Sequence, residues 1–159
     1  MKIKAKPLSR EAFAPFGDYT DICNPQGHSL GVFYPDRLLF DVSGAMPIGF
    51  SPLSVDRPDT YRVTAAEYHN TTAEGILPLD ADVVIHVAPP STAPIPEKTE
   101  AFIVPKGTLV KLNAGVWHLC ALPIDRPHVN ILIVLPQRTY VNDCITVEYP
   151  AHQHIDIEL

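Results

Sequence analysis

The 159-residue chain predicts an all-β (mainly β) architecture, a barrel or sandwich of short strands, built as one domain over residues 1–159. Two observations carry this. Seventeen prolines against eight glycines recur every few residues from Pro7 to Pro150. Proline lacks a backbone N–H and fixes φ, so it interrupts helix interiors and central strands, and only short elements fit between the breaks. Those intervals hold short apolar runs bounded by turn residues, which suit neither a helical bundle nor a doubly wound sheet.

Residues 8–17 predict a short N-terminal helix, capped by Ser9 and stopped at Gly17, with Phe13 and Phe16 packed on the barrel. Asn24-Pro25-Gln26-Gly27 and Tyr34-Pro35-Asp36 are turns, and short strands are expected at 38–42 and 48–50. Residues 61–69 read as a strand that Asn70-Thr71-Thr72 turns. Strands follow at 75–79 and 83–88, separated by Asp80-Ala81-Asp82. The proline-rich residues 89–98 read as a surface connection within the domain. Strands at 101–104 and 108–112 flank a turn at Pro105-Lys106-Gly107, and Asn113-Ala114-Gly115 turns the chain into 116–122. The apolar run 130–135 and residues 145–149 complete the set. The tail, His152-Gln153-His154, reads as a solvent-exposed terminus.

The composition excludes several function classes. Net charge is −6 with no basic block, so the electrostatic footprint of a nucleic-acid binder is missing. No apolar run approaches the roughly 20 residues that span a bilayer, and no apolar segment follows the basic start Met1-Lys2-Ile3-Lys4, which argues against a secretory leader and a membrane partner. Cys23, Cys120 and Cys144 match neither a zinc pattern nor a disulfide framework. They are expected to be small buried hydrophobes in a reducing cytoplasm.

The chemistry concentrates in two segments. On a strand, Glu67 and His69 point to one face and Tyr68 to the other. A carboxylate and an imidazole entering an apolar lumen need a partner or an ion. Glu74 is expected to begin the partner strand across the turn, and His118 follows a glycine turn on a second hairpin. Glu67, His69, Glu74 and His118 are therefore the candidate catalytic and metal-ligating residues. Such an N/O set suits a divalent transition metal: Mn, Fe, Ni, Co or Zn. Lys111, Arg138 and His86 are the candidate substrate-binding residues, with Lys111 or Arg138 pairing with a carboxylate of a small-molecule substrate. Trp117 reads as core.

Glu67-x-His69-x4-Glu74 resembles the first cupin motif, with Glu67 where the first histidine is usual. Gly107-x5-Asn113-x-Gly115-x2-His118 resembles the second, with Asn113 where proline is usual. The pair implies a cupin jelly-roll, a double-stranded β-helix barrel. The chain further resembles the ureidoglycolate lyase family, once called ureidoglycolate hydrolase. The resemblance rests on the amino-terminal segment 7–18, Glu67-Tyr68-His69 followed by Pro78-Leu79, Val116-Trp117-His118, and Arg138 with Asn142-Asp143-Cys144. Three departures stand near the motifs: Glu74 where that family usually has Gln, Ala114 where Arg is frequent, and Leu119-Cys120 in place of His-Pro. Glu74 restores the carboxylate of metal-binding cupins and favours a metal here.

The resemblance implies an amidine-type carbon–nitrogen lyase, a cytoplasmic homodimer cleaving ureidoglycolate to glyoxylate and urea in allantoin and purine degradation. A glutamate would take the substrate hydroxyl proton, and a second acid, such as a histidine, would protonate the departing nitrogen. Two alternatives are another metal-dependent cupin enzyme (isomerase, epimerase or oxygenase) on a small polar acid, and a non-catalytic cupin that binds a small metabolite.

Overall fold

The computed structural model describes residues 1–41 and 46–159. The first half comprises β1 (Lys2–Pro7), α1 (Arg10–Phe13), β2 (Gly17–Asp21), β3 (Ile48–Asp56), β4 (Arg62–Val63), β5 (Ala65–Tyr68), β6 (Glu74–Pro78) and β7 (Val83–Ala88). The second half comprises β8 (Glu100–Val104), β9 (Thr108–Leu112), β10 (Trp117–His118), β11 (Leu122–Pro123), β12 (His128–Pro136), α2 (Thr139–Asn142), β13 (Ile145–Glu148) and β14 (Ile155–Glu158). Proline falls where the strand rules allow it: Pro7, Pro78, Pro123 and Pro136 end their strands, and Pro52 lies on the edge strand β3.

Two sheets face each other. The larger runs β13-β5-β10-β7-β8-β1-β14-β4, with β11 also paired to β7, and the smaller runs β2-β9-β6-β12-β3. Among the described residues all strand pairings are antiparallel except those of β1, which lies parallel to both β8 and β14. The result is a mainly β jelly-roll of the cupin type. The main core lies between the sheets, where Val83, Ile85 and Val87 of β7 meet Ile76, Val110 and Ile131 of the smaller sheet. Ser9 caps α1 by accepting from the Ala12 N–H, and the short helix seats Phe13 edge-on to Phe102 at 5.2 Å between ring centroids. Each such fully buried ring contributes about 2–3 kcal/mol of transfer free energy. A second core, with Val84, Ala88, Ala101, Trp117 and Ile155, covers the outer face of the larger sheet. That sheet is thus apolar on both faces, which is why residues 83–88 form an uninterrupted apolar run apart from His86.

Several expectations change. The helix is a single turn, because Gly17 already starts β2. Residues 38–41 form no strand, and Val42 lies outside the described residues. The two ends pair as β1 and β14, with Ile3 opposite Ile157, so the last strand is anchored in the larger sheet, while His152 and Gln153 before it are exposed as expected and His154 is half-buried. Trp117 is core, as expected; its indole N–H donates to Ser91. No helix among the described residues is long and apolar enough to cross a membrane.

Candidate active site

Both motif segments are corners that pass between sheets, not hairpins. β5 lies in the larger sheet, but β6, which starts at Glu74, pairs with β9 and β12 in the smaller one. Likewise β9 is in the smaller sheet and β10 in the larger. Gly107 and Gly115, at φ of 79° and 81°, supply the left-handed turns at the two ends of this second segment, where a side chain would strain the backbone. The Gly115 N–H donates to the His69 carbonyl at 2.7 Å, which staples one corner to the other. His118 stands directly opposite Glu67 in the β10–β5 register, and Thr146 of β13 stands opposite Glu67 on its other side.

Glu67, His69 and His118 each present a ligand atom within 4.8 Å of the others, a grouping that could hold a metal ion. Glu74 joins them: its Oε2 lies 2.9 Å from His69 Nε2 and 2.8 Å from His118 Nε2. The outer nitrogens are committed elsewhere. His69 Nδ1–H donates to the Asp143 carbonyl at 2.7 Å, and His118 Nδ1–H donates to the Val116 carbonyl at 2.8 Å. A carbonyl can only accept, so each neutral ring carries its proton on Nδ1 and turns a bare Nε2 lone pair inward. Two such lone pairs and a carboxylate oxygen, all acceptors, then converge on one point in a site where His69, Glu74 and His118 are buried. That arrangement is stable only if the rings are protonated or a cation lies among them.

Without a cation, protons fill this role. Burial works against charge on both histidines and is the largest single influence. The Glu74 carboxylate, by hydrogen bond and by charge, and the carbonyls of Asp143 and Val116 outweigh it, so both rings are raised above the ordinary histidine value. Burial likewise favours the neutral acid at Glu74, but the charges and hydrogen bonds of His118 and His69 outweigh it and bring the carboxyl down to about 2.

Three residues of the β13 entry hold this cluster, and sequence reading alone did not assign them roles. Asp143 uses its carboxylate to accept from the Asn70 and Thr71 N–H groups and the Thr71 hydroxyl, at 2.6–2.9 Å, while its carbonyl fixes the His69 ring. Cys144 Sγ–H donates to Glu67 Oε2 at 3.1 Å, and the Thr146 hydroxyl donates to the same oxygen at 3.5 Å. The alternation of Cys144 with Thr146 is the signal that could have placed both over one neighbour.

Cys120 and Cys144 are half-buried and line the cavity, and Cys23 is exposed, so the expectation of three buried hydrophobes does not hold. Burial and the nearby Glu74 and Glu67 charges push the Cys120 thiol up to about 11. Burial and the hydrogen bond to Glu67 do the same for Cys144. Neither is a thiolate nucleophile at neutral pH.

The cluster opens into a cavity of about 210 Å³ whose other walls are apolar, formed by Leu53, Ile76, Leu119, Ile133 and Leu135. Of the residues expected to bind substrate, Arg138 lines an adjoining cavity of about 360 Å³ that shares Leu53, Ile133, Leu135 and Tyr140 with the first. It sits at φ of 66°, an uncommon left-handed conformation for a non-glycine residue. Lys111 and His86 do not line the cavity. Lys111 alternates with Val110 and Leu112, which occupy the core, so it faces outward. His86 shares a face with Val84 and Ala88, on the outer side of the larger sheet; burial, then the His118 charge, lower its pKa to about 4, so it is neutral.

The sequence profile of the family described as ureidoglycolate lyase matches residues 34–156. A protein named ureidoglycolate lyase from Pseudomonas savastanoi pv. phaseolicola is 30% identical over 132 residues, covering 79% of this chain and 78% of its own length. One of the same name from Mesorhizobium japonicum is 28% identical over 140 residues, covering 84% and 85%, and one from Rhodobacter capsulatus is 26% identical over 141 residues, covering 79% and 81%. The chain belongs to the ureidoglycolate lyase family.

Proposed function

We propose that this chain is a ureidoglycolate lyase that releases glyoxylate and urea, and that a divalent transition metal held by Glu67, His69 and His118 takes part. The observation that carries the reading is the convergence of two tautomer-fixed Nε2 atoms on one carboxylate oxygen, in a family whose named relatives are ureidoglycolate lyases. When bound, the ion lowers the pKa of the substrate hydroxyl and steadies the charge that develops on it. The donor set of two imidazoles and a carboxylate suits Mn, Fe, Co, Ni or Zn.

The chain's own groups supply the proton transfers. Glu74 takes the hydroxyl proton. Its low pKa is caused by the charges and hydrogen bonds of the imidazolium rings, so with the rings neutral it is a stronger base than beside protonated ones. The hydroxyl oxygen then becomes the glyoxylate carbonyl, the C–N bond breaks, and its electron pair goes to nitrogen. Neutral His69 and His118 hold no proton on Nε2, so the same carboxylate returns the proton to the leaving urea. Arg138, at the mouth of the cleft, holds the substrate carboxylate. The chain works in the cytoplasm as a homodimer, and the exposed Leu30, Val32, Phe33 and Phe50 are surface that a second copy would cover.

Purified protein incubated with ureidoglycolate releases glyoxylate. Chelation removes most of that activity, and one of the five metals restores it; absence of glyoxylate above background refutes the reading. Asp143→Ala frees the 70–71 turn and the carbonyl that orients His69, and weakens metal binding by about 10–100-fold. Asp143→Asn keeps an acceptor oxygen and loses less. Titration of the chelated variants with Zn²⁺ measures both.

A further inference from the structure

Glu67 and Glu74 are held in different ways. Glu74 is buried and meets two imidazoles, groups that exchange protons. Glu67 stands on β5 between two strands, with His118 of β10 opposite it on one side and Thr146 of β13 on the other. Its Oε2 accepts from the Cys144 Sγ–H at 3.1 Å and from the Thr146 hydroxyl at 3.5 Å, both from the β13 side. A carboxylate oxygen offers about two lone-pair sites, so these two donors engage Oε2 fully. No hydrogen bond among the described residues reaches Oε1. The backbone beneath is held as well, because Tyr68 on the opposite face packs against buried Trp117 at 4.5 Å between ring centroids. A carboxylate that binds a cation through both oxygens takes two coordination positions, and through one oxygen it takes one.

We propose that Cys144 and Thr146 are positioning residues that confine Glu67 to a single ligating oxygen, Oε1, and so keep a place beside the ion open for the substrate hydroxyl. This inference rests on the metal-assisted lyase reading, and it divides the work of the two carboxylates. Glu67, held by a thiol and a hydroxyl, serves as ligand. Glu74, held by imidazoles, moves the proton. Without the two donors Oε2 is left unpaired at the wall of the cavity and turns to the ion, where it takes the substrate's place.

The test loads the protein with Co²⁺, whose visible absorption reports its coordination, and titrates it with glycolate, a 2-hydroxy acid with no nitrogen to release. Three proteins are compared: unaltered, Cys144→Ala/Thr146→Val, and Cys144→Ser, which keeps a donor at that position. The double variant is expected to bind Co²⁺ with weaker absorption bands, as a higher coordination number gives, and to bind glycolate about tenfold or more weakly. Cys144→Ser stays within severalfold of the unaltered protein. Glycolate affinity of the double variant within severalfold of the unaltered protein overturns the proposal, whatever the bands do. A Cys144→Ser protein as weak as the double variant also overturns it, as does a double variant or an unaltered protein that takes up no Co²⁺. If the proposal fails while ureidoglycolate still yields glyoxylate, the lyase reading stands. If the glycolate series comes out as expected but ureidoglycolate yields no glyoxylate, the roles of Cys144 and Thr146 stand and the lyase reading falls.

Discussion

Replacing His118 with alanine lowers glyoxylate release by on the order of 10³-fold and removes the bound metal. The effect is large because His118 is tied into every part of the cluster. It is 3% exposed, stands opposite Glu67 in register, contacts Glu74 Oε2 at 2.8 Å, and has its proton fixed on Nδ1 by the Val116 carbonyl. Alanine removes a bare Nε2 that neither Glu67 nor His69 can replace. The fold survives, because His69 still neutralises Glu74 and the stability cost stays at about 1–3 kcal/mol. Steady-state kinetics, elemental analysis and thermal melting on one preparation separate these effects. Activity within tenfold of the unaltered protein would place the chemistry elsewhere. His86→Gln is the natural contrast: on the far face of the same sheet, it changes turnover by no more than severalfold.

The strands with clear apolar runs, β7, β9 and β12, could be read from the sequence, because local alternation and turn residues set them. So could the shared direction of Glu67, on β5, and His69, just past its end, which period two places on one face. What could not be read depends on contacts between distant segments. The larger sheet is buried on both faces, so residues 83–88 show no polar side to tell which way His86 points. Lys111 alternates with apolar neighbours that fill the core, and its own direction becomes plain only once β9 lies between β2 and β6. The clamp formed by Asp143, Cys144 and Thr146 exists because β13 pairs with β5 in one register, Thr146 opposite Glu67. A shift of one residue would turn Thr146 to the other face. Nor does local pattern reveal that the Glu67–Glu74 segment bridges two sheets, because a hairpin and a corner share the same short polar turn.

Glu74→Gln tests the carboxylate that contacts both histidines, and its signature is a change in pH dependence. In the metal-free protein Glu74 falls from 4.5 to about 2 on folding. Its contribution, on the order of 3 kcal/mol, is therefore present above about pH 4.5 and is lost as pH falls towards 2. His69 and His118 are raised from 6.5. Their contribution is complete below about pH 6.5 and is lost as pH rises through the folded-state values. Metal-free stability thus peaks between these limits and declines on both sides. A divalent ion reverses the alkaline decline, because it needs the neutral rings that high pH provides. Glutamine removes the charge behind all three shifts, so the metal-free stability profile flattens. It also presents an amide N–H to Nε2 atoms that otherwise wait for a cation, and this internal donor competes with the metal. The expected loss in metal affinity is about 10–100-fold. Chemical denaturation from pH 3 to 9, with and without Zn²⁺, measures both effects. A variant with flattened profile and unchanged metal affinity would show that the amide does not compete with the ion held by Glu67, His69 and His118.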